Sequence, residues 1–107
     1  MAMTIRDVLI TARERITDPR RWCQGALAKD AFGNRVSPVK HNAVRWCAAG
    51  ACDATAGLMN AQSNAAVNAL ACELYDKSLV SYNDRPETTH ADILALYDRA
   101  IAAQGTA

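Results

Sequence analysis

Apolar side chains recur at helical spacing in four separate stretches of this chain, and that periodicity limits the fold more than any other feature. In the first stretch Ile5, Val8, Leu9, Ala12 and Ile16 share one face. Thr4 with Asp7 forms a capping pair in front of it, and Asp18-Pro19 marks the exit, so the first helix is expected over Ile5 to Thr17. A second stripe runs through Val44, Cys47, Ala48, Ala51, Ala54 and Leu58, with Asn42 as its cap and Gly57 near its end. Gly50 inside this helix is expected to permit a close helix crossing. A third helix follows Ser63, burying Val67, Leu70, Ala71 and Leu74. Tyr75 to Arg85 reads as the end of that helix and an irregular joint closed by Pro86. The last helix begins at Thr89, paired with Asp92, and lines up Ile93, Leu96, Tyr97, Ala100 and Ile101; Gln104-Gly-Thr-Ala107 follows as a fraying tail.

Between the first two stripes, Trp22 to Pro38 has no helical period. Asp30-Ala-Phe-Gly-Asn34 is a turn in which Gly33 or Asn34 takes positive φ, and Leu27 to Asp30 with Arg35-Val36 would flank it as a short hairpin. The expected fold is mainly α, a compact four-helix array with a hairpin-like insertion after the first helix, in a single domain over residues 1–107.

Much of the apolar half of the chain is Ala, with a single Phe beside two Trp and three Tyr. Helices must therefore approach closely, and a core centred on Trp22, Trp46, Val44, Leu70 and Leu96 is expected. The longest apolar run, Ala65 to Cys72, is broken by Asn68 and far too short to cross a bilayer. Arg6, Asp7, Arg13, Glu14 and Arg15 interrupt any signal-peptide core, which points to a cytoplasmic protein without membrane attachment. In that setting Cys23, Cys47, Cys52 and Cys72 are expected as free thiols. Cys47 and Cys52 would stand about 140° apart around a helix, the wrong geometry for one metal ion. No phosphate-cradling glycine loop or His-Glu metal helix occurs, so neither metal nor cofactor is expected.

The net charge of +1 conceals an asymmetry. Residues 1–45 hold nine Lys/Arg against four Asp/Glu, a net of +5, and the remainder holds three against seven, a net of −4. Two halves that attract each other inside one fold would explain it, and so would a basic docking surface. The second reading gathers Arg13, Arg15, Arg20, Arg21, Arg35, Lys40 and Arg45 onto a face that binds a protein partner, a second copy of the chain included. A weak nucleic-acid-binding module is the alternative, though no helix-turn-helix spacing is present and the aromatic residues are not interleaved with the arginines.

A partial internal echo joins Arg21-Trp-Cys-Gln-Gly-Ala26 to Arg45-Trp-Cys-Ala-Ala-Gly-Ala51. Together with Leu27-Ala-Lys-Asp30, Gly33, Val36, Tyr82-Asn-Asp84 and Ile93 to Ile101, these motifs resemble a family of small bacterial and phage proteins of unknown function, over nearly the whole chain. Tyr82 stands where that family more often carries Trp. The resemblance implies this helical fold and transfers no activity. It is compatible with a small interaction or regulatory protein of a mobile element.

A sharper chemistry would use Cys23 as a thiol nucleophile in a hydrolase or transferase, with His41 or His90 as base and Asn83 or Asp84 orienting the imidazole. Arg20 and Arg21 would then favour the thiolate of Cys23, whereas Cys47 falls mid-helix on the apolar stripe. The bland reading has structural cysteines beside a buried Trp, and Asn83-Asp84 capping backbone amides or pairing with an N-terminal arginine.

Overall fold

The computed structural model describes residues 3–58 and 60–105. It is mainly helical, but it is built from five α-helices, a 3-10 turn and a three-stranded sheet instead of four helices and a hairpin. Helix α1 (Ile5–Arg15) opens with the expected capping box, in which Thr4 and Asp7 exchange side-chain-to-backbone hydrogen bonds. It buries Val8, Leu9 and Ala12 and lies against the helices of the second half. The helix ends at Arg15, short of Thr17, and Asp18 caps the 3-10 turn Pro19–Arg21 by accepting from the Arg20 amide.

Strands β1 (Ala28–Lys29) and β2 (Arg35–Val36) form the expected hairpin. The Asp30 carboxylate holds its turn together by accepting from the amides of Phe32 and Asn34, both at 2.9 Å, while Gly33 takes φ 84°. A third strand, β3 (Arg45–Trp46), adds to β1 on its other side, giving the order β2-β1-β3. This corrects the expected second helix. Residues Val44 to Trp46 are extended because Val44 and Cys47 donate their amides to the carbonyls of Lys29 and Leu27, a long-range pairing that overrides helical spacing. Val44 is consequently 39% exposed and not a core residue, and Leu58 at 49% also lies outside the core.

Helix α2 (Ala48–Ala56) begins only after Cys47, whose Sγ accepts from the Gly50 amide as the N-cap. Gly50 does mark a close approach, but to a strand end and not to a helix. A Cβ there would stand 1.9 Å from the Leu27 carbonyl oxygen. Helix α3 (Ala61–Cys72) starts earlier than expected, capped by Asn60, and buries Ser63, Ala66 and Leu70. The region read as an irregular joint contains helix α4 (Leu79–Asp84), which buries Leu79 and Asn83. Helix α5 (His90–Ala103) has the Thr89–Asp92 capping box and buries Ile93, Leu96, Tyr97 and Ala100. Of the expected tail, Gln104 and Gly105 follow the helix, and Thr106 and Ala107 lie outside the described residues.

The core is continuous from α1 through α2, α3 and α5, and Trp46 carries it under the sheet. Tyr97 is its largest fully buried side chain, donating to the Ala48 carbonyl at 2.6 Å and standing 3.3 Å from the Cys52 Sγ. Trp22 is only half-buried and packs against the core edge.

A candidate interaction face

The two Arg-Trp-Cys segments lie side by side. Trp22 and Trp46 form a parallel bridge, and the Cys23 amide donates to the Trp46 carbonyl at 3.1 Å. In that register Arg21 neighbours Arg45, and Cys23 neighbours Cys47. On the other side of β3, Arg45 is opposite Lys29, and Lys29 is opposite Arg35. Residues directly opposite one another project from the same face of a sheet, so Arg45, Lys29 and Arg35 make one row of cations, and Arg21, at the end of the 3-10 turn, extends it by bordering the same depression as Arg45. Trp46, Ala28 and Val36 alternate with them and turn towards the core. Adjacent strands are about 4.8 Å apart, which gives the row a length of roughly 14 Å.

Like charges directly opposite on a sheet oppose folding. Something must therefore hold the row in place, and the Tyr82-Asn-Asp84 motif on α4 does so. Asn83 is fully buried, and its Oδ1 accepts from Trp22 Nε1 at 2.8 Å and from the Ala48 amide at 3.0 Å. Its Nδ2 donates to the Cys23 carbonyl and to Asp84. Asp84 in turn accepts from the amide of Gly25, and Gln24 Nε2 donates to the carbonyls of Asn83 and Arg85. One side chain thus fastens the first Trp-Cys segment to the start of α2, which directly follows the second. The sequence marked Asn83 and Asp84 as structural but not this connection, because neither residue is near its partners in the chain.

The cations assigned to a docking face separate into groups. Arg13 is paired with Asp98 at 2.7 Å, Arg20 with Asp18 at 2.8 Å, and Arg15 lies over the Trp46 ring at 5.1 Å from its centroid. Lys40 is exposed on the loop between β2 and β3. Arg21, Arg35 and Arg45 come together, joined by Lys29, which sequence reasoning missed and only strand register could have found. No member of the row takes part in an ion pair among the described residues. Among the described residues, Arg13–Asp98 is the one ion pair that joins the basic half to the acidic half.

A shallow depression of about 460 Å³ lies beside the row, with Asp18, Arg20, Arg21 and Arg45 at its rim and Ala31, Ala43 and Val44 among its apolar lining. A second, of about 430 Å³, borders Arg20, Lys29 and Arg45 and reaches Cys23. The model match to this chain runs over residues 1–103 and belongs to a family described only as one of unknown function. The chain belongs to DUF6197. Among curated proteins and solved structures, nothing matches it.

In this DUF6197 chain Cys23, His90 and Asp84 of the nucleophile reading each hold hydrogen bonds to the surrounding fold. Cys23 is buried, its Sγ donates to the Ala26 carbonyl at 3.6 Å, and burial pushes the thiol up despite the opposite pull of Lys29. His90 Nε2 is bonded to the Ile16 carbonyl at 2.7 Å and its ring packs on Trp22, while His41 is exposed on the loop before β3. Asp84 is held by Gly25 and Asn83. The four cysteines are free thiols, with Cys72 the exposed one. Among the described residues no group of His, Cys, Asp and Glu is placed to hold a metal ion, and no helix is long and apolar enough to cross a membrane.

Proposed function

We propose that this DUF6197 chain is a binding module that docks an acidic protein partner on the row Arg21, Arg45, Lys29 and Arg35. The observation that carries this reading is three cations, Arg45, Lys29 and Arg35, held in strand register with Arg21 beside them and none of the four in an ion pair among the described residues, an arrangement that costs stability in the free protein and is relieved by an anionic partner. The overall charge of only +1 favours a partner with a local acidic patch over an extended polyanion, which would also meet the acidic second half. Fluorescence anisotropy with a short glutamate-rich peptide tests it. Lys29→Glu with Arg45→Glu should weaken binding by roughly tenfold or more and flatten its salt dependence, while the melting temperature stays level or rises. Equal affinity of the wild-type and reversed proteins would remove the row from consideration.

A further inference from the structure

Resting on that reading, we propose that the depression beside Arg21 and Arg45 receives a phosphorylated side chain, phosphothreonine or phosphoserine, within the partner's acidic segment. The parallel bridge at Trp22 and Trp46 brings the backbone at Arg21 next to that at Arg45, and both arginines border the same depression. Guanidinium groups present forked donors that match phosphate oxygens, and a phosphomonoester carries close to two negative charges. The third arginine at the rim, Arg20, is already neutralised and splinted by two hydrogen bonds from its side chain to Asp18. What is left at the rim is the double positive charge of Arg21 and Arg45, matched by one phosphate and only half matched by one carboxylate. The lining of Ala31 and Val44 offers apolar contact to the carbon stem of the modified residue, and a threonine methyl would use it. The depression is shallow and open to one side, which suits a side chain presented by an extended peptide. Lys29 and Arg35 continue the row beyond it, where acidic residues flanking the phosphosite would lie. Recognition of phosphorylated acidic motifs by clustered arginines follows the same electrostatic logic.

The test uses the full chain, immobilised, and two pools of degenerate heptapeptides that differ only in a central phosphothreonine or threonine. The phosphorylated pool should be retained roughly tenfold or more over its counterpart. Arg21→Met with Arg45→Met should abolish that preference, and Arg99→Met, at an exposed position of α5, should leave it intact. To separate loss of the guanidinium fork from any change in strand register, Arg21→Lys with Arg45→Lys is the companion variant; it keeps the charge, loses the fork, and should lower the preference several-fold. Equal retention of both pools, with loss of both on Lys29→Glu/Arg45→Glu, would overturn phosphate recognition and leave acidic docking standing. Retention of neither pool, or tighter retention of a single-stranded oligonucleotide that competes at the same arginines, would also overturn it.

Discussion

Asn83 satisfies two donors, Trp22 Nε1 and the Ala48 amide, from a single buried oxygen, and donates onward to the Cys23 carbonyl. Removing that amide leaves several buried polar groups without partners, each costing about 1–3 kcal/mol. Asn83→Ala is therefore expected to lower stability by roughly 3 kcal/mol or more in chemical denaturation, while Asp98→Asn, at the exposed Arg13 pair, should change it by about 1 kcal/mol or less. Asn83→Asp would keep the acceptor but turn a second oxygen on the Cys23 carbonyl and on Asp84; its stability should fall as the new carboxylate ionises. The cysteines give a second prediction at this scale. Cys72 is exposed whereas Cys23, Cys47 and Cys52 are buried. Native protein should react promptly with one equivalent of a thiol reagent, Cys72→Ser should remove that reaction, and denaturant should reveal the other three. Fast labelling of Cys23 near pH 6 would contradict its raised pKa and revive the nucleophile reading.

At the level of elements, α1 and α5 were legible because each carries a Thr-x-x-Asp capping box in front of a regular apolar stripe, so local and long-range forces agree. The hairpin was legible through Asp30 and Gly33. The start of α2 was not. Val44 and Cys47 happen to continue the helical period, and only pairing with β1, remote in sequence, draws Val44 to Trp46 into a strand. Helix α4 escaped notice because it is a six-residue segment whose cap, Ser78, makes no side-chain bond; the connections of Asn83 define it instead. As for the site, the echo made Arg21 and Arg45 visible as a pair, but nothing in the chain order placed Lys29 between Arg45 and Arg35. Gly50 provides the test of this packing. Gly50→Ala would drive a methyl group into the Leu27 backbone, so despite the better helix propensity of Ala it should destabilise by about 3 kcal/mol or more and detach β1 from β3.

Across the whole molecule, the interior is thin-walled and rich in small residues, and its buried titratable groups include the thiols of Cys47 and Cys52 and the phenol of Tyr97. Burial pushes the Cys47 thiol up to about 11 and the Cys52 thiol up to about 12, and raises Tyr97 well above its ordinary value. Groups held protonated in the fold but ionised in the unfolded chain stabilise the fold fully below the unfolded pKa, near 9 for the thiols, and lose that contribution as pH rises towards 11 and 12. The melting temperature should therefore decline through that alkaline window. Cys52→Ala, whatever its cost at neutral pH, should make the decline shallower, and an unchanged slope would show that Tyr97 and Cys47 dominate it. The fastening through Asn83 also bears on how the protein is made. Trp22 and Asn83 are 61 residues apart. At ribosomal rates of about 5–20 residues per second, roughly 3–12 s separate the synthesis of the arginine-rich segment from that of its fastener. During that interval the arginine-rich segment is without the buried amide that ties Trp22 and Cys23 to the start of α2.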